Sequence, residues 1–189
     1  MTAIAKEHLY SFEEYLTYED DLDNRYELVN GELEVMTPPT FLHILICDLI
    51  RDALKVEIDR LQLPLIATRE SGIRTGYSKS RIADVCVLTK EQVMNSLDAA
   101  GICDAPPVLA IEVVSQDSIK RDYRYKRSEY AASGVAEYWI VDPLERQVTI
   151  LVLDEGLYEE TVFTDEQELT SPTFTEIKLT PQQIFATEV

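Results

Sequence analysis

Two carboxylates lie in the middle of apolar stretches that have the composition of buried strands. Glu112 is flanked by Ile111 and Val113 in "PVLAIEVVS", and Asp84 lies inside "RIADVCVL". If the two strands are neighbours in register, both acids can point to one face of the sheet. Their like charges then repel unless a cation lies between them. The simplest such cation is divalent, and a few hard oxygen ligands are typical of Mg²⁺ or Mn²⁺.

A lysine follows on the next predicted helix. The stretch "DSIKRDYRYKRSEYAASG" predicts an α-helix that ends at Gly134. Its best apolar face carries Ile119, Tyr123 and Tyr130, and Lys126 lies on the same face. We therefore expect Lys126 to point toward the sheet and its two acids. An ammonium group there can orient a water molecule or stabilise charge that develops on a phosphate in reaction.

Each of these residues also has an ordinary structural interpretation. Lys126 can pair with Asp122 on the helix surface, since the two are spaced i, i+4. Glu112 or Asp84 can lie near a strand end and bind an arginine. These separate interpretations do not explain why two consecutive apolar strands each carry an acid and are followed by an inward lysine.

A β-hairpin near the N-terminus offers a further acid. The stretch "RYELVNGELEVM" predicts a hairpin that turns at the Asn-Gly pair, residues 30–31. A two-residue turn places Glu27 and Glu32 on the same face of the hairpin. Either can lie near the two strand acids, and both can equally be surface charges, so the spacing does not choose between them.

The other elements supply a sheet and its covering helices. Ser11 and Glu14 predict a capping box for a short first helix, and "TFLHILICDLIRDALKVEIDRL" predicts a long helix after Thr40. Strands are predicted on both sides of the turn at 76–80, at "AEYWIVDP", and in a hairpin over "QVTILVLDEGLYEETVF", with a last strand and turn in "FTEIKLTPQQIF". This mixed order predicts an α/β fold with a central mixed sheet flanked by helices, and 189 residues suit one domain over 1–189.

The net charge limits the possible partners. The chain carries 35 acidic and 17 basic residues, a formal net charge of −18, which repels nucleic acid at long range. A nucleic-acid substrate therefore requires a local basic patch or a bound metal. Two patches are candidates: Arg69, Arg74, Lys79 and Arg81 around the strand turn, and Lys120, Arg121, Arg124 and Arg127 on the helix.

Other function classes and locations have little support. The chain has no GxSxG motif and only two histidines, of which His43 is expected to be a packed core or site-edge residue and not a metal ligand. Its three cysteines form no CxxC pair and are expected to be free thiols. No apolar run approaches the roughly 20 residues that cross a bilayer, and the first ten residues lack a secretion signal, so a cytoplasmic protein without membrane association is expected.

Together these segments resemble the PD-(D/E)xK nuclease superfamily and, more closely, the Uma family of restriction-endonuclease-like proteins. The resemblance covers residues 25–143, through "RYELVNGELEVMTPP", His43, "RIADVCVL", "PPVLAIEVVS" and "DYRYKRSEYAASGVAEYWIVDP". The last segment is the most specific. The matching positions in it are Asp122, Lys126, Tyr130, Gly134, Glu137, Tyr138, Trp139, Asp142 and Pro143.

The resemblance implies a role for each candidate residue. Asp84 and Glu112 would be the acidic metal ligands, and Glu27 would be the extra acid, with Glu32 as its rival. In the parent motif the lysine stands two residues after the second acid, where this chain has Val114. The catalytic lysine is therefore expected on the next helix, at Lys126. Ala83 in place of the motif's proline, and "SQDS" where the family usually has Ser-Pro, remove no ligand.

The function that follows is a Mg²⁺-dependent endodeoxyribonuclease that also accepts Mn²⁺ and hydrolyses phosphodiester bonds in DNA. The carbonyl of Val113 is a further candidate metal ligand. A homodimer is expected, with copies pairing through the strand "AEYWIVDP" or the C-terminal hairpin. The alternative is a catalytically silent nuclease-like fold that acts as an acidic binding or regulatory module. That alternative is favoured by the net charge and predicts no metal binding near Asp84.

Overall fold

The computed structural model describes residues 8–20, 22 and 24–186, so the prediction about a signal at the N-terminus lies partly outside the described residues. The helices are α1 (Phe12–Leu16), α2 (Phe41–Leu61), α3 (Lys90–Asn95), a π-helical segment (Arg121–Lys126), α4 (Arg127–Ser133) and α5 (Pro181–Phe185). The strands are β1 (Tyr26–Val29), β2 (Glu32–Val35), β3 (Leu65–Gly76), β4 (Lys79–Thr89), β5 (Ile102–Cys103), β6 (Leu109–Val113), β7 (Glu137–Asp142), β8 (Gln147–Asp154) and β9 (Leu157–Thr164).

The nine strands form one mixed sheet. Its main order is β2-β1-β4-β6-β7-β8-β9, and β3 pairs with β4 and with the short strand β5. The pairs β6–β7 and β3–β5 are parallel, and the other pairs are antiparallel. The predicted α/β fold, a central mixed sheet flanked by helices, is confirmed. In the part of the chain that the structure describes, no helix is long and apolar enough to span a membrane.

The N-terminal hairpin has the predicted register. Glu27 pairs with Glu34, and Val29 pairs with Glu32. The turn uses positive φ at both central residues, 54° at Asn30 and 87° at Gly31. These angles suit an Asn-Gly pair because asparagine and glycine tolerate the left-handed region better than other residues.

Strand β4 pairs with β3 along one edge, and along its other edge it pairs first with β1 and then with β6. Between β1 and β6, part of this second edge has no neighbouring strand. Strand β1 meets β4 at the pair Leu28–Ser80, whereas β6 pairs with β4 over residues 85–87. Residues 81–84 of β4 lie between these two contacts. Their backbone polar groups need other hydrogen-bond partners, because buried N–H and C=O groups are costly to leave unpaired. The candidate site forms in this gap.

Helices cover both faces of the sheet. On one face α2 buries Ile46, Ile50 and Leu54 against alternate residues of β6 and β7. On the other face Tyr130 of α4 packs with Tyr138 of β7 in a second apolar cluster. Both faces of β6 and β7 are therefore buried, which explains why the sequences of these strands are almost continuously apolar.

Two predictions about the C-terminal half are wrong. The strand in "AEYWIVDP" is β7, which lies between β6 and β8, so it is internal and offers no free edge to a second copy. Residues 175–179, in the segment predicted to add a last strand, are not in a strand. That segment instead leads into α5, which Thr180 caps. Proline at 181 suits the first turn of a helix because its missing N–H is not needed there.

The predicted helix after β6 is π-helical in its first part. Residues 121–126 form a π-helix and α4 continues directly from it. The buried side chains in this region are Ser118, Asp122, Lys126 and Tyr130, spaced by four residues. Ile119, predicted to face inward, is 45% exposed. The wider π-helical turn replaces the α-helical period with a longer one, so Lys126 and Tyr130 stay inward and Ile119 does not.

The close contact between β3 and β5 can be tested by substitution. A Cβ added at Gly72 would lie 2.5 Å from Cγ1 of Ile102, whereas a Cβ at Gly101 meets nothing within 4 Å. We expect Gly72→Ala to lower the free energy of unfolding by about 1–3 kcal/mol, because the β-branched Ile102 has little room to move. Urea denaturation of both variants checks this, with Gly101→Ala as the matched control. Equal stabilities of the two variants would contradict the described β3–β5 contact.

Candidate active site

A buried ammonium group lies at the centre of the site. Lys126 is 2% exposed, and its Nζ lies 2.8 Å from Oε2 of Glu112 and 3.2 Å from Oε1 of Glu27. It also donates a hydrogen bond of 3.1 Å to the carbonyl of Ile82 in the gap along β4. The ammonium therefore has three acceptors for its three N–H groups. A surface pair of Lys126 with Asp122 is ruled out, since both residues are 2% exposed.

Of the two hairpin acids, the fold brings Glu27 to this site. Oε1 of Glu27 accepts a hydrogen bond from the amide of Ile82, and Oε2 accepts one from Nη1 of Arg81. Glu32 is exposed. The two acids share a face of the hairpin, but β1 lies next to β4 whereas β2 is the outer strand. Glu27 thus supplies an acceptor to the same backbone residue, Ile82, whose carbonyl binds Lys126.

The charges around Glu27 stabilise its ionised form. Burial raises the pKa of Glu27, but the charges of Lys126 and Arg81 and the hydrogen bond from Ile82 outweigh burial and lower this pKa to about 2. Glu27 is therefore ionised at neutral pH, and it holds two cationic side chains in fixed positions.

Glu112 is ion-paired to Lys126 on one oxygen and hydrogen-bonded on the other. It is 2% exposed, and its Oε1 accepts a hydrogen bond of 2.6 Å from the hydroxyl of Tyr130. Burial raises the pKa of Glu112 well above its ordinary value, because desolvation outweighs the charge of Lys126. The nearby charges of Asp84 and Asp122 raise this pKa further. The environment of Glu112 is therefore short of positive charge.

Asp84 lies at the edge of the cluster and has different partners. Its Oδ2 accepts a hydrogen bond of 2.7 Å from the amide of Val113 and lies 3.1 Å from Nε2 of His43. Asp84 and Glu112 are the residues next to the strand pair Val85–Ile111, at which the pairing of β4 with β6 ends. The fold thus joins Glu27, Glu112 and Lys126 in direct contact and places Asp84 beside them, paired with the histidine.

His43 is a site residue whose contact the sequence did not reveal. It lies in the first turn of α2, with its side chain 17% exposed, at the predicted site edge. Burial lowers the pKa of His43, but the hydrogen bond and charge of Asp84 outweigh burial and raise it overall. The only signal in the sequence was a polar residue within an otherwise apolar helix, and this does not identify the strand that the histidine meets.

The basic patch predicted around the strand turn is largely neutralised by acids. Arg81 is buried and bridges Glu27 and Glu129, with 2.7 Å between its Nε and Oε2 of Glu129. The other members also have acidic partners: Arg69 with Asp48, Arg74 with Asp104, and Lys79 with Glu129. These ion pairs make this patch a poorer candidate for phosphate contacts than its four basic residues suggest. Arg81 instead belongs to the ion network of the site.

The donor set of the site suits a hard divalent cation. Asp84 and Glu112 supply carboxylate oxygens, and each oxygen has more than one lone pair, so their present hydrogen bonds leave room for a metal. Burial lowers the pKa of Lys126, whereas four neighbouring acids raise it: Glu112, Glu27, Asp122 and Asp84. Among the described residues Arg81 is a second buried cation of this network, so two cations face these four acids when all of them are ionised. A divalent ion between Asp84 and Glu112 would offset that excess.

Comparisons with known proteins identify a family and a solved structure of similar fold. A family model described as "Uma2: Putative restriction endonuclease" matches residues 12–182. Among solved structures, the chain is similar to a protein from Anabaena variabilis described as a putative nuclease belonging to DUF820, with a TM-score of 0.77. The two chains are 20% identical over 93% of this chain and 97% of the other, a likeness of fold. No curated protein matches the chain.

The low pKa of Glu27 makes the network testable by pH. Since the folded pKa lies near 2 and the ordinary value is 4.5, the contribution of Glu27 is complete above about pH 4.5 and is lost as the pH falls toward 2. We expect Glu27→Gln to cost about 3 kcal/mol of unfolding free energy at pH 7, and less as the solution is acidified through this range.

Denaturant unfolding across this pH range measures the difference. Glu32→Gln is the matched control, because it changes an exposed acid of the same hairpin and should leave stability unchanged within about 0.5 kcal/mol. A pH-independent loss for Glu27→Gln would mean that its charge does not stabilise the network.

Proposed function

The chain belongs to the Uma2 restriction-endonuclease family, and from this premise we propose that it is a metal-dependent endonuclease that hydrolyses phosphodiester bonds in DNA. The domain that does so is proposed to span residues 1–189. The observation that carries the proposal is the contact of 2.8 Å between Lys126 and Glu112, with Asp84 on the neighbouring strand. Glu112 and Lys126 thus meet at the gap in the sheet, and Asp84, whose side chain is 18% exposed, lies at its edge beside His43.

The proposed cofactor is Mg²⁺, for which Mn²⁺ can substitute. Asp84, Glu112 and the carbonyl of Val113 would hold it, because these are hard oxygen donors on adjacent strands. When bound, Mg²⁺ supplies Lewis acidity toward the scissile phosphate and lowers the pKa of a water ligand.

Lys126 is proposed to act as a cation and not as a base. Burial lowers its pKa, but the charges of Glu112 and Glu27 outweigh burial and raise it above its ordinary value. The group therefore keeps its proton at neutral pH. Its three acceptors fix its position before substrate arrives, so its charge can stabilise negative charge on the phosphate without reorganisation.

Three further residues are proposed to position the catalytic ones. Glu27 holds Lys126 through an ion pair and is held in turn by Arg81. Tyr130 fixes one oxygen of Glu112 by hydrogen bonding. These contacts restrict the rotamers of Lys126 and Glu112, which a reaction that depends on placement requires.

DNA is the proposed substrate in spite of the net charge of −18. Since the patch at the strand turn is paired with acids, phosphate contacts are assigned to the second basic group. Lys120 and Arg124 are exposed there, whereas Arg127 is paired with Glu160. Binding through few cations predicts a shallow dependence of affinity on salt.

We further propose a homodimer in which each copy cuts one strand. Strand β9, at the end of the main strand order, belongs to the C-terminal hairpin and is the candidate contact.

An acidic binding module without catalysis is the second candidate function. It is favoured by the net charge and by Glu112, whose two oxygens are already engaged by Lys126 and Tyr130. It predicts no binding of Mn²⁺ near Asp84. Isothermal titration with Mn²⁺ separates the two functions, because the nuclease predicts binding that Asp84→Ala removes.

Cleavage of supercoiled plasmid DNA with Mg²⁺ or Mn²⁺ tests the proposed activity. We expect Lys126→Ala and Asp84→Ala each to lower the rate at least about 100-fold, because each removes a group that acts on charge at the reacting phosphate. Lys55→Ala is the matched control, since it removes an exposed lysine of α2 that belongs neither to the site nor to the proposed phosphate contacts, and it should keep the rate within a few-fold.

A loss of cleavage is informative only if the variant is folded. The circular dichroism spectrum of each variant is therefore compared with that of the wild type. Equal nicking by the wild type, Lys126→Ala and Asp84→Ala would mean that a contaminant cuts the DNA. Loss of cleavage on chelation with EDTA, restored by Mg²⁺, is expected in addition.

A further inference from the structure

A second set of metal-ligating side chains shares one residue with the proposed nuclease site. His43, Cys47 and Asp84 each offer a ligand atom, and these three atoms all lie within 4.8 Å of one another. Only Asp84 belongs to the proposed Mg²⁺ ligands. The histidine and the thiol therefore have no role in the mechanism described above.

The fold holds these three groups together from two elements. His43 and Cys47 are one turn apart on α2, which places them on the same side of the helix. Nδ1 of His43 lies 3.6 Å from Sγ of Cys47, and its Nε2 lies 3.1 Å from Oδ2 of Asp84. Asp84 comes from β4, and the amide of Val113 fixes its carboxylate by a hydrogen bond. The three side chains thus converge on one place, with Nδ1 of His43 toward the thiol and Nε2 toward the carboxylate.

The donor types select a different metal from that of the nuclease site. Mg²⁺ prefers oxygen ligands and rarely takes a thiol, whereas one nitrogen, one sulfur and one oxygen are typical ligands of Zn²⁺. Three protein ligands leave a fourth tetrahedral position for solvent. The side chains of His43 and Asp84 are 17% and 18% exposed, which gives an ion a route from solvent.

The neighbouring arginine does not oppose a cation there. Arg69 contributes positive charge near His43 and Cys47. Its Nη1 lies 2.8 Å from Oδ1 of Asp48, however, so an acid largely neutralises it. The thiol of Cys47 loses its proton when it coordinates a metal, as coordinating thiols do.

We propose that His43, Cys47 and Asp84 form a Zn²⁺ site, and that Zn²⁺ bound there withdraws Asp84 from the oxygen ligands of Mg²⁺. The binding of Zn²⁺ is independent of the proposed nuclease activity, whereas the competition between the two ions rests on it. Zn²⁺ thus inhibits cleavage through a ligand that both sites share.

Titration with Co²⁺ tests the site by spectroscopy. Co²⁺ replaces Zn²⁺ in sites of this donor type, and a Cys ligand gives a thiolate-to-metal charge-transfer band in the near ultraviolet. We expect one Co²⁺ per chain with this band in the wild type, displaced by Zn²⁺. Cys47→Ser should abolish the band and weaken Zn²⁺ binding by more than the roughly 10–100-fold that loss of an outer-shell partner costs.

Matched variants establish whether the metal binds through Cys47 and His43. Cys103→Ser changes a partly buried thiol outside this ligand set and should keep both the band and the affinity. Cys47 is buried, so thermal unfolding of Cys47→Ser without metal first establishes that this variant folds. His43→Gln, at a partly exposed position, is the second ligand variant and should weaken Zn²⁺ binding equally.

The outcomes distinguish the Zn²⁺ site from the nuclease. A wild type without the charge-transfer band, or a band that persists in Cys47→Ser, overturns the Zn²⁺ site even if Mg²⁺ supports cleavage. Zn²⁺ binding that depends on Cys47 in a protein that cuts no DNA supports the site and refutes the nuclease. Glu112→Gln should retain Zn²⁺, because Glu112 is not among the three ligands.

Discussion

The site depends on one buried ammonium group that lies in a gap of the sheet. Strand β4 exchanges one neighbour for another between residues 80 and 85, and Lys126 and Glu27 bind the carbonyl and the amide of Ile82 there. Ionic side chains thus replace the missing strand as hydrogen-bond partners. Removing one partner of such a buried pair costs about 3–5 kcal/mol. The need to satisfy the backbone and the need to neutralise the acids are therefore met by the same residues.

The π-helical segment places the ammonium in this gap. A π-helical turn holds more residues than an α-helical turn, and such turns are frequent at functional sites. Here it aligns Asp122, Lys126 and Tyr130 on the buried side, so that Lys126 and Tyr130 bind different oxygens of Glu112. A regular α-helix would also turn Lys126 and Tyr130 inward, but it would place Ile119 on that side in place of Asp122. The local irregularity of the helix thus adds a buried acid beside the two partners of Glu112.

Charge balance links the fold to metal chemistry. Four acids surround Lys126, and a chain with a net charge of −18 has no general cationic surface to offset them. Asp84 lies at the open edge of this cluster, beside the nitrogen of His43 and the sulfur of Cys47 on α2. Two kinds of ion can therefore compete for one carboxylate, and the donor types around it decide which ion each set prefers.

The sequence by itself determined most of the strands, the long helix α2 and the inward positions of Glu112 and Lys126, because these depend on local patterns. The Asn-Gly pair fixed the hairpin register, and apolar runs identified the strands of Asp84 and Glu112. Only the tertiary structure chose Glu27 over Glu32 and brought His43 to Asp84. These choices depend on which strand is adjacent to β4 and on where α2 crosses the sheet. Contacts between distant segments decide both, and spacing along the chain carries no information about them.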